Sequence, residues 1–270
     1  MKRELFAFVA GPIVLAGIVW APSWVFVAVL NLVALGAAFE LLRMAESVGI
    51  TCGRVMPIVM LAMMLAAASW WGPEGLAWTG AAAVILLPAM RILRRDSTKG
   101  ALAGISVAVM TTMYVGLTAA CLGWLRTLPQ DPVTGIKLLV LFLVSIWLGD
   151  SGAYYVGKNL GRHKMSPTIS PKKTWEGLIG GMATTCVAVA AFHALFQLPF
   201  GGVHVAAIAA ILAVTAPVGD LVESLFKRDT HTKDSSNLIP GHGGLLDRTD
   251  SLFFAAPFVL VYLYSMGLLA

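Results

Sequence analysis

Apolar residues occur along this chain in blocks of roughly 17 to 25, the length needed to cross a bilayer as a helix. Nine such blocks are legible, at 5–21, 24–42, 55–72, 75–91, 102–125, 137–157, 175–197, 203–226 and 251–269. Inside hydrocarbon the backbone has no water to bond to, so each block is expected to be an α-helix. Only Pro22 and Ser23 separate the first two blocks, which predicts a tight hairpin. The expected fold is all-α, a polytopic transmembrane helical bundle of about nine spans. Residues 1–136 hold five spans; residues 137–270 hold four, with polar loops at 158–174 and 227–250. No internal repeat and no separate soluble domain is visible.

Composition agrees with the pattern. The chain is 58% hydrophobic and 12% charged, whereas soluble domains carry about 25% charged residues. The basic start and small residues near Ala21 imitate a signal peptide, but the many later blocks favour a retained first span. Cys52, Cys121 and Cys186 form no CxxC pair, and reduced thiols acting as small apolar groups are expected.

Charge then sets the orientation. If connections alternate between two sides, only Arg126 and Lys137 fall on one side, and the rest of the 19 basic residues fall on the other. By the positive-inside rule that crowded side is cytoplasmic, and it includes the N-terminus. The net charge of +5 therefore points to anionic lipid rather than nucleic acid.

Acidic residues say more, because lipid penalises them. Asp150 lies well inside the sixth block, Asp220 and Glu223 lie in the eighth, Glu176 opens the seventh, and Asp247 with Asp250 leads into the ninth. Glu40, near the end of the second block, reads as an ordinary interface carboxylate. On a helix Asp220, Glu223, Ser224 and Lys227 share one face, as do Asp247 and Asp250. The intervening loop returns the chain to the same membrane surface, so the acidic faces are expected to converge. As a group, these carboxylates suit Mg²⁺ held by oxygen ligands and shared with a phosphate. The competing reading is a set of salt bridges that closes the bundle.

Two polar segments accompany them. In "GKNLGRHKMSPTISPKKTWEG", Ser170 and Pro171 are expected to cap a helix, with Lys172 and Lys173 in its first turn beside free backbone N–H groups. An anion, phosphate above all, fits such a place; solvated interface charge is the alternative. In "PGHGG", glycines 243 and 244 can let the backbone wrap a phosphate, although a simple turn looks the same. His242 is open between ligand, proton carrier and loop hydrogen-bonder.

The stretch from Ser224 to Asp250, "SLFKRDTHTKDSSNLIPGHGGLLDRTD", resembles the signature of the phosphatidate cytidylyltransferases, or CDP-diacylglycerol synthases. The fixed positions of that signature are matched by Ser224, Lys227, Arg228, Lys233, Asp234, Ser236, Ile239, Pro240, His242, Gly243, Gly244, Asp247, Arg248 and Asp250. The likeness continues upstream through "GDLVES" and "GDSGAYYVGKNLGRHKMSPTISPKKTWEG". Thr249 stands where the family more often has an aliphatic residue. The resemblance implies that CTP and phosphatidate give CDP-diacylglycerol and pyrophosphate, with Mg²⁺ required. It also implies a homodimer and a bacterial cytoplasmic (inner) membrane, with the site facing the cytoplasm. On that basis the metal is expected on Asp220, Glu223, Asp247 and Asp250, with room for a second cation. Lys227, Arg228, Lys233 and Arg248 are expected to hold phosphate groups. Lys172, Lys173, Thr174, Ser224, His242, Gly243 and Gly244 are expected to contact CTP or lipid, and Asp150 and Glu176 to support the site.

The rivals are a CTP-dependent polyprenol-type lipid kinase, which would move the γ-phosphoryl group, and a cation-coupled transporter. A transporter would bind near the bilayer midplane, whereas these acids gather toward one surface. A CDP-alcohol phosphotransferase lacks its Asp-Gly-x-x-Ala-Arg core here.

Overall fold

The computed structural model of the chain describes residues 2–93, 98–239, 241 and 243–269, and for residues 2–10 the backbone alone. Among the described residues eight helices carry the fold: α1 Lys2–Trp20, α2 Ser23–Ser47, α3 Val55–Leu93, α4 Ala101–Thr127, α5 Pro132–Leu160, α6 Trp175–Phe196, α7 Gly202–Asp229 and α8 Leu246–Ser265. A short antiparallel pair, β1 Lys164–Ser166 and β2 Ser170–Thr174, joins α5 to α6. Helices α2 to α7 are long and apolar enough to cross a membrane. Large apolar side chains such as Leu32, Ile85, Leu102 and Val187 lie exposed along them, which calls for lipid as the solvent. The protein is a multi-pass, predominantly helical membrane protein.

Helix α3 is 39 residues long, twice the length of an ordinary span, and it is not straight. Gly72 adopts φ 62° and ψ −143°, outside the helical region, immediately before Pro73. Residues 67 and 75 would stand about 12 Å apart in a straight helix. Instead a methyl group on Gly75 would run into the Ala67 carbonyl, and one on Gly80 would lie 3.7 Å from the Met64 methyl. The two halves therefore fold back on each other about Gly72, where the sequence places a break between its third and fourth blocks. Only glycine takes a positive φ there without strain, and Pro73 restarts the helix at a position where its missing N–H costs nothing.

Elsewhere the helix ends differ from those expected. Asp131 caps α5, its carboxylate accepting the Val133 and Thr134 N–H groups at 3.1 and 3.0 Å, so the helix starts five residues before the expected block. Helix α8 likewise begins at Leu246 rather than 251, with Asp247 in its first turn. The expected cap at Ser170 and Pro171 is wrong. Those residues belong to β2, and Lys172 and Lys173 are strand residues rather than first-turn residues. Thr174 is the cap of α6, its hydroxyl accepting the Gly177 N–H at 3.1 Å. Pairing of β2 with β1 satisfies the backbone of 170–174, so a helix start at Ser170 has no advantage there.

The residues group into two compact units that interleave along the chain: residues 1–23, 121–225 and 250–270, and residues 24–120 and 226–249. In the first, Leu138, Leu139, Phe142 and Ile146 form the fully buried stripe of α5. Helix α6 packs closely on α5 because glycines 149, 152, 177 and 181 remove the side chains that would keep the backbones apart. In the second, Leu61, Met64 and Leu65 of α3 are buried, with Met64 lying against Gly80 and Gly116.

Candidate active site

The first unit brings three of the expected carboxylates together. Asp220 and Glu223, one turn apart on α7, and Asp250 of α8 each offer an oxygen, and these oxygens lie within 4.8 Å of one another. The approach of α8 depends on Gly219. A Cβ at that position would stand 2.7 Å from the Phe254 Cβ and 2.9 Å from the Asp250 carbonyl. Any larger residue there forces α8 away and moves Asp250 off the other two acids. Three carboxylates this close repel unless cations or protons lie among them. Lys173 of β2 supplies one positive charge, its Nζ 2.7 Å from Asp220. Ser224, one turn on from Asp220, donates to its Oδ1 at 3.3 Å. Glu223 is 2% exposed, deep for a carboxylate.

The strand pair that carries Lys173 is itself held. Glu176, in the first turn of α6, accepts the backbone N–H groups of Arg162 and His163 at 3.1 and 3.2 Å and pairs with His163 Nδ1 at 2.5 Å. Its contacts are those of a residue that fixes the turn before β1. Asp150 lies on an exposed part of α5 and is not one of the three convergent acids. Lys172 is exposed on β2, and Thr174 is buried in its capping role.

In the second unit, the end of α7, the described residues of the following loop and the start of α8, within 226–249, are organised around two anions. Asp247 receives Lys227 Nζ at 2.8 Å on Oδ1. Its Oδ2 accepts the Ser235 N–H, the Ser235 hydroxyl and the Gly244 N–H at 2.8, 2.7 and 2.8 Å. Asp247 therefore serves as the knot of this segment, its oxygens engaged by Lys227, Ser235 and Gly244. The second anion is Glu40. The sequence reads it as an interface carboxylate; it is instead 4% exposed, with its oxygens filled from the loop. The Ser236 hydroxyl donates to it at 2.6 Å and the Leu245 and Leu246 N–H groups at 3.0 and 2.9 Å, while the Ser235 hydroxyl, 2.8 Å away, shares its one proton between Glu40 and Asp247.

Gly244 packs directly on the Glu40 carboxylate, where no side chain fits. Gly243 has φ +79° and presses on Asp247, so both glycines expected to wrap a phosphate are engaged with carboxylates in this structure. Arg228, Lys233 and Arg248 are exposed, and Arg228 reaches the Thr232 carbonyl at 3.4 Å. His242, named as an open candidate, lies outside the described residues.

A family profile described as the cytidylyltransferase family matches residues 1–266. The chain belongs to that family. Its curated relatives include the phosphatidate cytidylyltransferase of Bacillus subtilis, 34% identical over 263 residues and 96% of each chain. The Haemophilus influenzae phosphatidate cytidylyltransferase is 34% identical over 83% of this chain and 76% of its own. That of Pseudomonas aeruginosa is 40% identical over 57% of each. The chain is thus a nucleotidyltransferase, and the oxygen-rich acidic group suits the hard divalent ion such chemistry generally employs. Glu40 is a loop anchor that the sequence read only as an interface carboxylate. An acidic side chain at the end of an apolar block was the available signal, but its partners lie some 200 residues away in sequence.

Proposed function

We propose that this member of the cytidylyltransferase family moves the cytidylyl group of CTP onto phosphatidate, giving CDP-diacylglycerol and pyrophosphate for phospholipid synthesis. Full-length similarity to phosphatidate cytidylyltransferases carries the substrate assignment. The convergence of Asp220, Glu223 and Asp250 carries the chemistry. Three oxygen donors, one of them paired with Lys173, fit Mg²⁺, which prefers carboxylate and phosphate oxygens. When bound, such an ion supplies positive charge to phosphate oxygens as the bond to pyrophosphate breaks.

The rest falls to the chain. A phosphatidate oxygen forms the new bond to the α-phosphorus of CTP while the α–β bridging bond breaks and pyrophosphate departs. The lipid phosphate is largely ionised near neutral pH, so no residue has to remove a proton. Catalysis then rests on positioning and charge. Asp220, Glu223 and Asp250 set the metal site, and Lys173 holds Asp220 in place. Lys172, Arg228, Lys233 and Arg248 offer exposed positive charge for the phosphate groups of CTP and lipid. Asp247, Lys227, Ser235, Gly243 and Gly244 keep the loop in shape, and Glu176 keeps the turn before β1.

Purified protein given phosphatidate and CTP labelled at either end tests the reaction. Label from the α-phosphate is expected in the lipid, and γ-label only in pyrophosphate. Lipid carrying γ-label would establish a kinase instead.

The segregation of Lys and Arg supports nine crossings, with the N-terminus and polar loops in the cytoplasm of a bacterial inner membrane. The family resemblance adds a homodimer. Reporter fusions at the two termini are expected to report opposite sides of the membrane, and the detergent-corrected particle mass to equal two chains. Same-side reporters or a one-chain mass would refute the corresponding part.

A further inference from the structure

Within residues 24–120 lies a cavity of about 440 Å³ that shares no residue with the acidic group or with the 226–249 loop. Its volume falls in the ~300–1,000 Å³ range of small-molecule sites. Met56, Leu87, Met90 and Ile105 provide an apolar wall, and Leu87 belongs to a small buried cluster with Met60, Ala83 and Ala108. The polar part of the lining is Glu46, Thr51, Cys52 and Arg91.

The charges there do not cancel. Glu46 is already paired, its Oε2 lying 2.9 Å from Arg54 Nε. Arg91 has no ion pair among the described residues. Its Nη1 donates to the Thr51 carbonyl and its Nη2 to the Thr51 hydroxyl at 3.2 Å. Its Nε is buried without a hydrogen-bond partner among the described residues. A guanidinium oriented by neutral acceptors, with one buried N–H unspent, is costly unless an anion completes it. Gly104 packs against Arg91 and Thr51 so closely that no side chain fits, which keeps the guanidinium in place.

We propose that this cavity binds an anionic phospholipid of the surrounding bilayer, its phosphate on the Arg91 guanidinium and part of one acyl chain along Met56, Leu87, Met90 and Ile105. Charge complementarity selects an anion, and the apolar wall selects an amphiphile over a free ion. The volume takes one chain end, not a whole diacyl lipid. The site is separate from the proposed transfer reaction, and its failure leaves that reaction untouched.

Cys52 reports occupancy. It lines the cavity, and burial, with the nearby Glu46 carboxylate, pushes its thiol up to about 11, so alkylation is followed at mildly alkaline pH. Complete labelling of the unfolded chain serves as the reference, not Cys186, which lies beside the lipid-facing Val187 on α6. The full chain is reconstituted in phosphatidylcholine alone or with phosphatidylglycerol, treated with N-ethylmaleimide and read by mass spectrometry.

Phosphatidylglycerol at four times its dissociation constant is expected to slow Cys52 labelling about fivefold relative to phosphatidylcholine alone. R91Q is expected to lose that protection while retaining turnover of CTP, and R91K, which keeps the charge but not the fork of donors, to show partial protection. Equal Cys52 labelling of the wild-type chain in the two bilayers overturns the proposal without any variant. So does equal protection by inorganic phosphate added to phosphatidylcholine bilayers, or undiminished protection in R91Q or R91K.

Discussion

Asp250→Ala is expected to lower turnover by roughly 100-fold or more while leaving the protein folded in detergent. Even changes to residues that merely support a metal ligand cost about 10–100-fold, and Asp250 is one of three carboxylates that converge among the described residues. Its removal takes away one of the three donor carboxylates and the whole of the α8 contribution to that group. The salt-bridge reading makes a different forecast. If the acids only tie helices together, removing one of three mutually repelling carboxylates should be mild for activity and should show up in stability. Two measurements separate these outcomes. Turnover of the variant should recover in part as Mg²⁺ is raised, because a weakened site is still filled by mass action. Thermal unfolding of the wild type should shift upward with Mg²⁺, and that shift should disappear in Asp250→Ala. Near-normal turnover in the variant would remove the metal assignment and leave the family assignment intact.

Glu40→Ala is expected to release the 226–249 loop. Four donors converge on this one carboxylate, two hydroxyls and two backbone N–H groups. The hydroxyls can turn to other acceptors, but the Leu245 and Leu246 N–H groups are fixed by the backbone. Leaving such donors buried and unmet costs about 1–3 kcal/mol apiece. The single Ser235 hydroxyl proton is shared between Glu40 and Asp247, so without Glu40 it turns to Asp247, and the loss falls on the Leu245 and Leu246 N–H groups. Trypsin reads the consequence. Lys233 and Arg248 are exposed, and their bonds should be cleaved several times faster in Glu40→Ala than in the wild type. Turnover should drop in parallel. Glu40→Gln keeps one acceptor oxygen and should fall between the two. Wild-type resistance to trypsin together with wild-type turnover would show that Glu40 does not hold the loop.

Much of the fold was legible because lipid leaves so few options. A block of apolar residues long enough to cross must be a helix, so the positions of α2, α4, α6 and α7 follow the hydropathy closely. Their ends were less legible. Asp131 extends α5 backward by capping, a local hydrogen-bond choice that hydropathy does not register. Ser170 and Pro171 had the chemistry of a helix start, yet pairing with β1 used the same backbone groups first. Within the site, the i, i+3 spacing of Asp220 and Glu223 was readable as a shared face. That Asp250 joins them while Asp247, three residues earlier, turns to Lys227 and Ser235 was not readable, since both lie on one helix face.

By itself, then, the sequence determined the solvent, the helical class, the acidic and basic residues available and the family to which they belong. Those properties depend on composition, on spacing along one helix and on a contiguous motif. Tertiary structure alone decided which acids meet and which residue anchors the loop. It also left Arg91 without an ion pair among the described residues. Each of these is settled by groups far apart in the chain competing for the same hydrogen bonds and the same space, and no local pattern records the winner.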